Sequence, residues 1–151
     1  HWWGDVVEDF LLCIERHAFL HKLESNAAYW VCAYANRQHN LGAELVMDPR
    51  QTSFYRAMKI AVGVLLILDD KKEHSGPATP FSRIWCAFEE SIALTDREDR
   101  AEAMKLDMAA SHGKVAQLIT DGLTRHDLRF GEAAAQFYKY ERQKTFPIEI
   151  I

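Results

Sequence analysis

The chain has 151 residues, of which 48% are apolar and 26% charged, and its formal net charge is −4. That length suits one domain with a core of its own, and the mixed, slightly acidic charge argues against a grip on nucleic acid driven by phosphate neutralisation. The longest apolar run, Ile60 to Leu68, is closed by Asp69-Asp70 and falls short of the about 20 residues a bilayer helix needs, so no membrane span is expected.

Three dispersed cysteines, Cys13, Cys32 and Cys86, each sit among apolar neighbours. An odd, scattered set reads as buried thiols in an intracellular, reducing compartment, with no choice between cytoplasm and an organelle. The chain opens on His1-Trp2-Trp3-Gly4 without a Met, which reads as a fragment or a processed chain. This first stretch is expected to be a strand end or loop whose tryptophans pack on something.

Asp5 to Leu23 is expected to be a helix. Asp5 can cap it, and Val6, Phe10, Ile14, His17 and Ala18 recur at helical spacing as its buried stripe. Cys13, His17 and His21 stack at i, i+4, i+8 on the same helix. That stripe overlaps the apolar face and no carboxylate completes it there, so a buried thiol and packed histidines are expected and no metal site. Ser25-Asn26 breaks the helix. Ala28 to Tyr34 is aromatic and β-branched with little charge, which predicts a strand buried on both faces. The polar run Asn36 to Asn40 then lies at the carboxyl end of that strand. Leu41 to Met47 predicts a short helix or turn, and Asp48-Pro49-Arg50 a loop.

Ser53 to Lys59 predicts a short helix capped by Thr52 or Ser53. It feeds the most apolar stretch, Ala61 to Leu68, as a central strand. Asp69 to Thr79, with Ser75-Gly76-Pro77, predicts an exposed loop. A helix from about Ser82 to Thr95 follows, carrying Trp85, Cys86, Glu89 and Glu90. Strand, loop and helix in this order are where an open α/β sheet keeps its ligand. At about 100° per residue, Ile84, Trp85, Phe88 and Ile92 share one arc facing the sheet. Glu89 then lies at the edge of that arc beside Trp85, and Glu90 points to water. Asp96 to Glu102 is charged and exposed, Met104 to Ala109 predicts a strand, and His112 to Leu123 and Asp127 to Lys144 predict helices. Lys139, Arg142 and Lys144 read as a solvated face. The chain ends on the apolar stretch Phe146 to Ile151.

Alternating helices and apolar strands imply a single α/β domain over residues 1–151: a parallel sheet covered by helices on both faces. There is no Gly-x-Ser-x-Gly elbow and no Gly-rich phosphate loop, which removes the commonest hydrolase and nucleotide-phosphate readings.

Trp85-Cys86-Ala87-Phe88-Glu89, preceded by Ser82, resembles the Trp-Cys-Leu-x-Glu motif of Toll/interleukin-1 receptor (TIR) domains, which likewise opens the helix after a buried strand. The likeness runs from about Asp5 to Leu94. His-Trp-Trp-Gly, Tyr-Trp-Val-Cys-Ala-Tyr-Ala-Asn and Arg-Ile-Trp-Cys further resemble a group of TIR-like proteins from algae, dinoflagellates especially. The resemblance implies a flavodoxin-like three-layer sandwich with a short parallel sheet, whose first strand would lie before His1 or come from a partner. It implies either of two functions. One is a non-catalytic association module, in signalling or as a peripheral subunit of a larger assembly, docking other chains through Trp2, Trp3 and Phe146 to Ile151. The other is cleavage of NAD at the nicotinamide–ribose bond, with Glu89 as the essential carboxylate and Trp3, Asn36, Gln38 and Trp85 around the nucleotide. No further cofactor is implied.

Overall fold

A computed structural model of the chain describes residues 1, 4–36, 39, 48–69, 79–95, 100, 104–112, 114–120, 129 and 131–143. In chain order these form helix α1 (Val7–His21), a one-turn helix α2 (Cys32–Ala35), a 3-10 turn (Pro49–Gln51), helix α3 (Ser53–Ile60) and strand β1 (Gly63–Leu68). A second 3-10 turn (Thr79–Ser82), helix α4 (Ile84–Thr95), strands β2 (Lys105–His112) and β3 (Val115–Leu118) and helix α5 (Glu132–Gln143) complete them. Trp2, Trp3, Gln38, Leu41 to Met47 and Phe146 to Ile151 lie outside the described residues.

The sheet runs β1-β2-β3. β1 and β2 are parallel, from Gly63 opposite Lys105 to Leu68 opposite Ala110. A parallel pair needs a long crossover, and α4 supplies it. β2 and β3 form an antiparallel hairpin, His112 opposite Val115 and Ala109 opposite Leu118. Lys114 turns the hairpin in the left-handed region, φ 66°. The sheet is therefore mixed, not wholly parallel, and the helix expected from His112 is a strand over Val115–Leu118. The physical reason is the turn. Once the chain reverses at Lys114, Leu118 drops into the core, and its burial outweighs the weak helical pattern of that stretch.

Strand alternation assigns the two faces. Leu65, Ile67, Ala109, Ala116 and Leu118 pack with Phe10, Cys13, Ile14 and Leu20 of α1. Val64 turns the other way and packs with Met58, Phe88, Ile92 and Ala93 of α3 and α4. Leu66, Leu68 and Ala110 also face that side, beneath Phe81. Gly63 opens β1 where the backbone of β2 comes close: a Cβ there would lie 2.8 Å from the Lys105 carbonyl oxygen.

α1 lies antiparallel to β2, and its contacts step down the strand in order. Asp9 accepts a hydrogen bond from the Ser111 hydroxyl at 2.9 Å. Cys13 and Ala109, both fully buried, share one core cluster. His17 and His21 both reach Asp107, at 3.3 and 3.1 Å. The helix starts at Val7, with Val6 as an exposed N-cap, so Val6 is not part of the stripe. Asp5 accepts from the Val6 N–H at 2.9 Å and is not the N-cap of the helix. Lys22 ends the helix in the left-handed region, its N–H returning to the carbonyls of Ala18 and Phe19.

The segment from Ala28 to Tyr34 is not a strand. Trp30 is 40% and Tyr34 71% exposed, and the chain closes into the α2 turn at Cys32. Its anchors are local. The Tyr29 hydroxyl bonds His17, and Val31 packs against the α1 side of the core. These contacts hold the segment across α1, where aromatic bulk pins the chain without a ladder. α3 is capped by Thr52, whose hydroxyl accepts from the Tyr55 N–H at 3.3 Å and donates to the Pro49 carbonyl at 2.6 Å. The other end of α3 is closed by Arg100, whose guanidinium donates to the carbonyl oxygens of Ala61 and Met58. A cation there also meets the negative end of the helix dipole.

Candidate functional site

The site forms where β1 gives way to α4, and a buried acid sets that junction. Asp69, 3% exposed, follows the last residue of β1. Its carboxylate accepts from the Thr79 N–H at 2.7 Å and from the Thr79 hydroxyl at 2.8 Å. This clasp draws the start of the second 3-10 turn to the carboxyl end of the strand. The Ser82 hydroxyl then donates to the Thr79 carbonyl at 2.8 Å, and the Ala87 N–H closes the first turn of α4 onto Arg83. Asp69 and Thr79 belong to the stretch expected to be an exposed loop, yet both are buried. The available signal was an acid placed directly after an apolar strand.

The buried face of α4 is built on Cys86, Ile92 and Ala93, with Trp85, Phe88 and Glu89 half-buried beside them. Ile84, placed on the buried arc by its angle, is 80% exposed. It is the first residue of the helix, and the arc begins one residue later. Glu90 does not point to water either. It is half-buried and its Oε1 is shielded, with no hydrogen-bond partner among the described residues. Burial raises its pKa above the usual carboxylate value.

Glu89 lines a small concavity with His1, Cys32, Phe54, Arg83, Trp85 and Cys86, of about 30 Å³. That is room for one or two water molecules. Burial pushes the Glu89 carboxyl up to about 7, against the pull of the α-amino group at His1, and the neighbouring Glu90 charge adds to the rise. Burial likewise raises the Cys86 thiol. The Trp85 ring stacks on Phe54, with centroids 5.0 Å apart and planes inclined by 16°. Phe54 meets Trp30 edge-on at 5.3 Å, and Phe88 meets Trp85 edge-on at 6.2 Å. One face of Trp85 is thus occupied by the protein itself.

Of the residues singled out in the sequence, Glu89 and Trp85 come together in this concavity. Asn36 does not line it. It is 8% exposed, and its side-chain carbonyl accepts from the Ser53 hydroxyl at 2.7 Å, tying the end of α2 to the start of α3. Trp3 and Gln38 lie outside the described residues. Cys86, of the same Trp-Cys motif, lines it too, and His1, Cys32, Phe54 and Arg83, which were not anticipated, complete the lining. Phe54 could have been suspected from its place on α3, one helix before the strand.

A second group of polar side chains sits under the end of α1. The sequence offers Cys13, His17 and His21 on one stripe with no carboxylate to complete it. The fold brings that carboxylate from β2. Asp107 lies 3.3 Å from His17 Nε2 and 3.1 Å from His21 Nε2. The ligand atoms of the three side chains all fall within 4.8 Å of one another. The hydrogen bond to His17 holds the Asp107 carboxyl below its usual range, outweighing its burial. Cys13 is a layer deeper, fully buried, with its thiol pushed up to about 12 by burial and by the charges of Asp5 and Asp9. Of the three cysteines expected to be buried, Cys13 and Cys86 are buried and Cys32 is half-buried.

No family model matches the chain, and neither a curated protein nor a solved structure does. Among the described residues, no helix is long and apolar enough to cross a membrane.

Proposed function

We propose that the chain is a TIR-like association module on a flavodoxin-like plan, acting in signalling or as a peripheral subunit of a larger assembly. The observation that carries this reading is the position of β1. Gly63–Leu68 is apolar on both faces, the signature of a strand that belongs inside a parallel sheet, yet it stands at the edge of the sheet. No described strand pairs with its outer side. Ile60 and Val62, at its entrance, are 87% and 84% exposed. The carboxyl half of β1, Leu66 to Leu68, is buried, so the exposed part of this edge is its apolar entrance, which invites a strand from another chain. This fits the family plan in which a further strand lies beside the one preceding the Trp-Cys helix. Trp2, Trp3 and the apolar stretch Phe146 to Ile151 are proposed as further contacts with other chains.

The expected outcome is concentration-dependent self-association in sedimentation equilibrium, lost in the double variant Ile60→Lys/Val62→Glu, whose side chains are exposed, with an unchanged thermal midpoint as the control for folding. A single monomeric species at every concentration would count against the proposal.

One observation favours the second reading, NAD cleavage. Glu89 is a desolvated carboxylate in a concavity beside Trp85. Nicotinamide leaves from a cationic ring without a general acid, and a carboxylate against the ribose hydroxyls stabilises the oxocarbenium-like transition state. The size of the concavity favours the first reading, since small-molecule sites usually enclose about 300 Å³ or more. Incubation of the concentrated protein with NAD is expected to release no more nicotinamide than Glu89→Ala does. Release by the parent that Glu89→Ala abolishes, climbing with pH through about 7 as the carboxyl ionises, would instead establish the enzyme.

A further inference from the structure

We propose that His17, His21 and Asp107 form a binding site for a divalent first-row transition metal ion, with Zn²⁺ as the reference ion. The donor set is two imidazoles and one carboxylate. It joins neighbouring turns of α1 to β2, with His17 and His21 lying 90 and 86 positions before Asp107 in the sequence, so that only the fold can bring them together.

The spacing matches metal coordination. With ligand bonds of about 2.0–2.1 Å, neighbouring donor atoms around a tetrahedral or octahedral ion stand about 3.0–3.4 Å apart. The two His–Asp separations, 3.3 and 3.1 Å, fall in that range, and all three donor atoms lie within 4.8 Å. The side chains are mostly sheltered, with 15% exposure at His17, 14% at Asp107 and 30% at His21. Of the three, His21 is the most open to solvent.

Each inner donor is also oriented from behind, as ligands in metal centres generally are. His17 Nδ1 lies 2.7 Å from the Tyr29 hydroxyl. With an ion bound, Nδ1–H would donate there and Nε2, giving up the proton it otherwise donates to Asp107, would turn its lone pair to the ion. Asp107 Oδ1 accepts from the Thr120 hydroxyl at 3.0 Å, which leaves Oδ2, the oxygen nearest both histidines, for the ion. Thr120 is itself fixed, since its hydroxyl oxygen accepts from the Met108 N–H at 2.9 Å. An ordinary ion pair between one histidine and one carboxylate needs only one imidazole. Here two imidazole nitrogens converge on a single oxygen, with hydrogen-bond partners behind both His17 and Asp107. Three protein ligands leave at least one coordination position for water or an anionic oxygen ligand, the pattern of open rather than closed zinc sites.

The ion would pin the last turn of α1 to β2, so binding should raise stability as well as register as heat. The test is titration of the chelator-treated full chain with ZnCl₂ in a calorimeter, paired with thermal unfolding with and without the ion. One site per chain is expected, with a metal-dependent rise in the unfolding midpoint. His21→Ala, at the most exposed ligand, is expected to fold and to lose both signals. Tyr29→Phe, which touches no ion, is expected to weaken binding by about 10-fold through loss of the orienting partner. His39→Ala, at an exposed histidine elsewhere, is expected to change neither. Absence of saturable one-to-one binding by the parent chain would overturn the proposal. So would undiminished binding by folded His21→Ala, which would assign the ion to the cysteines or to other surface groups.

Discussion

Glu89 is the residue whose protonation the fold controls most visibly. Its carboxyl is raised from 4.5 to about 7 in the folded chain. A raised acid binds its proton more tightly folded than unfolded, so between pH 4.5 and 7 the folded state holds more protons. Stability from this group is therefore fully present below about pH 4.5, declines as pH rises through 7, and is flat above. The span corresponds to roughly 3 kcal/mol at most. Urea titrations across this range are expected to show the decline, and Glu89→Gln to remove this group's part of it and to be the more stable protein at pH 8. A variant with the same pH slope as the parent would mean that Glu89 is ionised without cost. Arg83, Cys32 and Cys86 line the same concavity, and the charge of Glu90 lies on the same helix. A helix that leaves two adjacent acids half-buried holds stability in reserve at neutral pH. Such a reserve suits a face meant to be covered by something else.

At the scale of elements, the joints between helices and strands carry the geometry. Thr52, 1% exposed, fixes the start of α3, and Arg100 closes its end from a distance of about forty residues in sequence. Thr52→Ala removes an accepted and a donated hydrogen bond from a dry position and is expected to cost about 1–2 kcal/mol in urea denaturation. A cost below a few tenths would assign capping to Ser53 instead. The sequence made α1, α3, β1, α4 and β2 legible because each has an apolar period and a cap or break at its ends. It misled at Ala28 to Tyr34 and at Val115–Leu118 for opposite reasons. The first has strand composition without a strand partner, and the second gains its partner only when the chain reverses at Lys114. In the candidate site, Glu89 and Trp85 could be found because helical angles place them together. Asp69 and Phe54 left only a positional hint, an acid directly after an apolar strand and a ring one helix before it, and Asp107 left none, because nothing local says which distant side chain a buried carboxylate or ring will meet.

For the molecule as a whole, the register of α1 on β2 is the organising contact. Each four-residue step on a helix advances about 6.0 Å, and each two-residue step on a strand about 6.6 Å. Asp9, Cys13 and His17 therefore meet Ser111, Ala109 and Asp107 in turn. His21, one turn beyond His17, reaches back to the same Asp107. Inserting one Ala between Ile14 and His17 turns everything after it by about 100°. The insertion is expected to abolish the cooperative thermal transition, whereas one Ala inserted between Ser25 and Asn26 should leave the midpoint within a few degrees. Equal tolerance at both places would show that α1 packs without a fixed register.

The near-match of the two step lengths makes α1 behave like a toothed rack engaged with β2. Its allowed positions are discrete. Sliding by one turn would set Asp9 against Ala109, in the driest part of the core, and Cys13 against Asp107, so the neighbouring notch is charged where the true one is apolar. A continuous drift of the helix along the sheet is thereby closed off. Lineages of this chain are free to lengthen the loops around α1, but within the helix, insertions and deletions should survive only at its two ends, outside the engaged teeth.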